Sequence, residues 1–185
     1  MSRILAPLCL ALLPLAAAAE GRFDANDVDF LNLMGNREGY RGFGTVSDFA
    51  TSLPDEDLHR MTIGEVIAYQ DRIIAEGAQS SAMGRYQIIR DTLAGLIARH
   101  GISRGLIFDE EVQTYLARTL MRDCGFYDPE HPVNELGNCL AGQWAALPVL
   151  SGPGAGRSRY AGDGLNAHAV DAAEFRAVLE SRFIW

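Results

Sequence analysis

Lysine is absent: all 16 basic residues are arginine, against 24 acidic ones, for a formal net charge of -8. That balance argues against a nucleic-acid partner, whose phosphates call for a basic face. It also removes a nucleotide-binding P-loop from consideration, because the Gly-rich run from Gly152 to Ser158 lacks the lysine that would reach the phosphates. Long apolar runs are missing after the first residues, so no transmembrane segment is expected beyond them. Cysteine is scarce, at three residues. Internal repeats, linkers and low-complexity tracts are lacking as well.

The one apolar run, Ile4 to Leu15, follows Arg3 and precedes the small residues Ala16 to Ala19. That order is the anatomy of a secretory signal peptide cleaved just before Glu20. Residues 1–19 are therefore expected to be a signal peptide, 20–185 a single catalytic domain, and the location periplasmic or secreted. Cys9 falls inside the signal without the small residues that lipidation requires. Cys124 and Cys139 remain, and an even pair in an exported chain predicts one disulfide. Zinc is not expected, because no second cysteine pair exists and His59, His100, His131 and His168 are scattered.

The periodicity predicts a mostly α-helical domain. A first helix runs from a cap at Asn26 to about Glu38, with Val28, Leu31 and Met34 on its apolar face. Gly39 to Phe49 is Gly-rich and aromatic and is read as a small hairpin. Thr62-Ile63-Gly64-Glu65 spells a capping box, opening a helix with Ile63, Val66, Ile67 and Ile74 that ends at Gly77. A third helix is read from Tyr86 through Ile89, Leu93, Leu96 and Ile97 to a stop at Gly101. The fourth runs from Asp109 through Leu120, the fifth from about Val133 to Leu147, and the last from about Ala167 to Phe183. Gly101-Ile102-Ser103-Arg104-Gly105 matches the G-x-S-x-G string of serine hydrolases, but that motif works only between a strand and a helix. Here helices flank it, so it is read as a helix stop.

Three strings carry candidate chemistry. Glu38 lies four residues after Met34 and seven after Leu31, which places it on an apolar helix face. It also sits in the last turn, at the negative end of the helix dipole. Both features disfavour the ionised carboxylate, and a retained proton is what a general acid needs. Arg37 and Arg41 would oppose the shift if they leaned inward. In Ser81-Ala82-Met83-Gly84-Arg85-Tyr86-Gln87-Ile88, Gly84 permits close backbone approach, while Tyr86 and Gln87 offer an apolar plate and an amide, the mixture that binds sugars. In Gln143-Trp144-Ala145-Ala146-Leu147-Pro148, Trp144 fits either a core position or a binding wall, and facing alone leaves both open.

Taken together and in this order, Glu38-Gly39, Ser81 to Gln87 and Trp144 to Pro148 resemble the lambda-phage-type endolysins of the lysozyme-like superfamily. Met61 to Val66 is similar to a segment of related bacterial and phage muramidases. The resemblance spans about Asp27 to Pro148. It implies an α+β, mostly helical lysozyme-like fold with a small β element and a cleft. It further implies Glu38 as catalytic acid/base, Ser81, Tyr86 and Gln87 as cleft-lining residues with Trp144 near them, and neither cofactor nor metal. Gly84, read above for close backbone approach, and Tyr160, in the loop beyond the resemblance, complete the expected substrate-binding set. The implied substrate is the β-1,4 bond between N-acetylmuramic acid and N-acetylglucosamine in peptidoglycan glycan strands. The family's action as lytic transglycosylases implies 1,6-anhydromuramic ends, hydrolysis by a lysozyme-type reaction being the alternative. A catalytically silent peptidoglycan-binding scaffold is the rival of another class. The chain departs from the phage pattern in its signal peptide, its cysteine pair and the long Gly-rich loop around Tyr160. Those departures fit wall remodelling or an export machine, with no partner protein identifiable, better than host lysis.

Overall fold

The computed structural model describes residues 25–163 and 169–184. The expected signal peptide, His168 and the start of the expected last helix lie outside the described residues. Six α-helices dominate the described residues: α1 Val28–Arg37, α2 Ile63–Ala75, α3 Arg90–His100, α4 Glu110–Asp123, α5 Val133–Gln143 and α6 Ala172–Ser181. No described helix is long and apolar enough to cross a membrane.

Helix starts follow side-chain chemistry. At α2 the capping box closes both ways: Glu65 N–H donates to Thr62 Oγ1 at 3.2 Å, and Thr62 N–H donates to Glu65 Oε2 at 2.7 Å. Asp109 accepts from Val112 N–H at the head of α4, and Asp171 accepts from Ala173 and Glu174 N–H at the head of α6. Gly101 ends α3 in the left-handed conformation. The Gly101–Gly105 string is accordingly a turn between α3 and α4, and the backbone carbonyls of its Arg104 and of the following Leu106 accept from Gly64 and Ile63 N–H at the head of α2.

Four local expectations are corrected. Val28 is 55% exposed, and Phe30 and Leu33 take the core positions beside Leu31 and Met34, because α1 is buried along a wider stripe than three residues define. Gly39 to Phe49 forms a 3-10 turn at Gly42–Gly44 and one antiparallel bridge, Val46 to Met83, in place of a hairpin of its own. Tyr86 is not helical: it lies in a turn closed by the Met83–Ile88 bridge, and α3 begins four residues later. Finally, α5 stops at Gln143, before Pro148, and Trp144 is already extended. Among the described residues the β element therefore amounts to isolated bridges.

The core centres on Phe30, whose ring meets Phe126 at 5.5 Å, Trp144 at 5.7 Å and Phe175 at 6.3 Å between centroids. These residues draw α1, α6 and the ends of α4 and α5 onto one apolar centre. Polar ties fix the same elements. Arg118 on α4 grips the buried Asp27 carboxylate through Nε at 2.7 Å and Nη2 at 3.0 Å, and Tyr127 OH donates to it at 2.9 Å. Buried Arg182 at the end of α6 donates to the carbonyls of Phe126, Asp128 and His131.

Cys124 and Cys139 form the expected disulfide. It joins the C-terminal end of α4 to the middle of α5 across 15 residues of sequence. Closing such a loop stabilises the fold by about 3 kcal/mol in the chain-entropy model. For a domain of this size, reduction should lower Tm by roughly 6–12 °C. Calorimetry with and without reductant measures it, and equal Tm values would mean that the bridge is energetically idle.

Candidate functional site

Glu38 closes α1. Its N–H donates to Met34 O at 2.8 Å, so the side chain leaves the helix on the face of buried Met34 and Leu31. Gly39 follows for a steric reason: a Cβ there would stand 2.4 Å from the Arg85 carbonyl oxygen and 2.5 Å from its Cα. The Arg85 turn thus lies flush against the end of α1, and a side chain at position 39 would push the two apart.

That turn is the stretch Met83 to Ile88. Its ends exchange backbone hydrogen bonds of 3.2 and 3.0 Å, and Gly84, at φ +76°, donates to Thr45 O at 2.7 Å. Gln87 has φ +45°, the one non-glycine residue with positive φ among the described residues. Such a conformation costs on the order of 1 kcal/mol or more and persists where the surroundings over-determine it. Here the Gln87 amide donates to Gly84 O at 2.8 Å and shuts the turn. From behind, Gln113 donates to Phe43 O and Phe108 O and accepts from Arg85 N–H at 2.9 Å.

Glu38 and Gln87 face an open cavity of about 480 Å³. One wall comes from the Gly-rich insertion, α2 and the segment after it, with Ser47, Phe49, Ile74, Gln79, Ser80 and Ser81. The rest of the lining comes from the end of α5 and the loop beyond it, with Gln143, Trp144, Ala145, Tyr160 and Asp163. Behind this lining, Ala146 N–H donates to Glu38 Oε1 at 3.1 Å. Among the described residues the lining holds two carboxylates, Glu38 and Asp163, and no arginine or histidine.

The Glu38 carboxyl is pushed above the ordinary glutamate range by burial, which the hydrogen bond from Ala146 opposes only in part. Arg37 and Arg41 do not intervene. Arg37 pairs with Glu174 at 3.5 Å, and Arg41 pairs with Asp48. The sign of the linkage follows: the folded state holds this proton more tightly than the unfolded chain. Its stabilising contribution is full below the unfolded pKa and is lost as pH rises through the raised folded value. A carbon-detected titration of Glu38 should give a midpoint above that of exposed glutamates, and a midpoint equal to theirs would contradict the burial argument.

Of the residues singled out from sequence, the structure brings Glu38, Ser81, Gln87, Trp144 and Tyr160 to this cavity. It does not bring Gly84 or Tyr86. Gly84 packs against the Gln113 side chain. Tyr86 is buried, shares a hydrogen bond with Thr114 and meets Phe43 edge-on. Trp144 is 3% exposed, with Nε1 donating to Tyr86 O at 2.9 Å, so it is a core residue that shows only an edge to the cavity. Ser81 Oγ accepts from Arg90 N–H at 3.1 Å, a bond that fixes the start of α3. Phe49, Ile74 and Asp163 were not found from sequence. Adjacent Ile73 and Ile74 cannot both face the core of one helix, which is a usable signal; Phe49 and Asp163 sit in loops without periodicity. Among the described residues no cluster of side chains could hold a metal ion. In comparisons with protein-family models, curated proteins and solved structures, the chain matches none.

Proposed function

We propose that this chain is an exported enzyme that cuts the β-1,4 bond between N-acetylmuramic acid and N-acetylglucosamine in peptidoglycan, on a lysozyme-like fold whose cleft is the cavity at Glu38. The observation that carries this reading is Glu38 itself: a carboxyl biased toward its protonated form by burial, lining an open cavity. The walls supply what a neutral sugar needs, namely the exposed Phe49 ring, the amides of Gln79, Gln87 and Gln143, and hydroxyls at Ser80 and Tyr160.

Glu38 would protonate the leaving oxygen and then accept a proton. In the transglycosylase form that proton comes from the C6 hydroxyl of the muramic ring as it closes on C1, leaving a 1,6-anhydro end. Tethering to the reacting ring gives that hydroxyl an effective concentration of up to about 10⁵ M or more. Asp48, the nearest acidic residue within the Gly-rich insertion, is exposed, pairs with Arg41 and does not line the cavity. One observation favours hydrolysis as a second reading: Asp163 lines the same cavity as Glu38, and two carboxylates across a bond are the equipment of ordinary glycosidases. Asp163→Asn separates the two. Under the transglycosylase reading it changes kcat by less than about tenfold; a loss of about 10² or more, the scale of a general base, would assign Asp163 the second catalytic role. Release of dye from labelled, purified peptidoglycan by the mature protein tests the activity, and no release over a boiled control would end the proposal.

A further inference from the structure

Beyond the glycan groove, the loop after Pro148 builds a second cavity of opposite charge. Pro148 bridges Ser158, and Val149 N–H donates to Arg157 O at 2.8 Å, so the loop folds back on itself. Its foot is tied to α5. Asn138 Oδ1 accepts from Leu150 N–H at 2.8 Å and from Ser151 N–H at 3.3 Å. Arg159 Nη2 donates to Asn138 O at 3.1 Å, and Tyr160 OH donates to Gly142 O at 2.6 Å. The segment from Arg157 to Tyr160 is thus held to the helix at two points.

Arg157 and Arg159 line a cavity of about 470 Å³ together with Asn138, Ser151 and Ser158, and no carboxylate is in that lining. The Arg157 guanidinium has no partner among the described residues. The next residues of the same strand of chain, Tyr160 and Asp163, line the cavity at Glu38. Among the described residues, two pockets of contrasting charge therefore adjoin, one with two carboxylates and no cation, the other with two arginines and no carboxylate. In a chain of formal charge -8, such a pair of cations attracts an anion locally even though the whole surface does not.

We propose that the Arg157–Arg159 cavity binds a carboxylate of the peptide attached to the glycan strand whose sugars occupy the groove at Glu38. This rests on the reading of that groove as a peptidoglycan site. Peptides on muramic acid project sideways from the strand and carry free carboxylates, and a guanidinium fork matches a carboxylate in two parallel hydrogen bonds. The sugars are read by neutral groups in one pocket and the peptide by charge in the next, so the enzyme favours strands that still bear peptides.

The test compares kcat/KM on two soluble substrates, peptide-bearing strands and the same strands stripped of peptide by an amidase. Wild-type protein should prefer the peptide-bearing strands. Arg157→Ala should lower that preference about fivefold, the upper range for one exposed charge pair, through KM and not kcat, and Arg157→Lys should restore part of it. Arg104→Ala, a charge loss at a residue lining neither cavity, should leave the preference intact. An unchanged preference in Arg157→Ala, or an equal loss in Arg104→Ala, would overturn the site while leaving glycan cleavage standing. Failure of wild-type protein to cut either substrate would instead overturn the glycan reading and this inference with it.

Discussion

Under the proposed function, Glu38→Gln is expected to lower the rate of glycan cleavage by about 10² to 10⁴, the usual contribution of a general acid/base, and to leave the fold intact. Both halves follow from the geometry. Glutamine keeps the shape, and its carbonyl oxygen accepts the Ala146 N–H as Glu38 Oε1 does at 3.1 Å. What it loses is the proton. Stability should even rise slightly at neutral pH, because the variant has no buried carboxyl to ionise there, and should match wild type at low pH, where Glu38 is already neutral. Initial rates on purified peptidoglycan beside thermal melts at two pH values check this. A glutamine variant as active as wild type would remove Glu38 from the mechanism.

Trp144→Ala is expected to lower stability by about 3–5 kcal/mol, on the scale of core aromatic truncations. The ring is 3% exposed, packs edge-on against Phe30 at 5.7 Å between centroids, and its Nε1–H satisfies the buried Tyr86 carbonyl at 2.9 Å. Truncation opens a void at the aromatic centre and orphans that carbonyl. Since Trp144 also precedes Ala146, whose N–H holds Glu38, activity should fall with stability. Urea melts give the magnitude. A loss below about 1 kcal/mol would mean that the ring serves the cavity and not the core.

These two residues also mark what the sequence reveals and what it conceals. The facing of Glu38 was legible because seven residues of helical spacing fix it, and the structure places the side chain on the face of Leu31 and Met34. The capping box at Thr62 and the Asp109 cap were legible because their chemistry is local. Trp144 was not decidable, since core and wall positions share one spacing and the choice depends on Phe30 and Tyr86, far away in sequence. Tyr86 was misread as helical because its apolar spacing to Ile89 and Leu93 suits a helix, while the Met83–Ile88 bridge and Gly84, which decide the turn, act through tertiary partners. The end of α5 was set too late for a related reason: Pro148 marks where a helix must have stopped, and α5 stops sooner, at Gln143. Asp163 and Phe49 reach the cavity from loops, where no period exists to announce them.

Mass analysis of the fragments released from purified peptidoglycan tests the central claim most directly. The account predicts soluble disaccharide-peptides ending in 1,6-anhydromuramic acid, one water lighter per cut than hydrolytic products and inert to borohydride, with none formed by Glu38→Gln. Fragments with borohydride-reducible muramic ends would replace the ring-closing step by hydrolysis and turn attention to Asp163. Intact glycan strands after prolonged incubation with the mature protein would contradict the account as a whole.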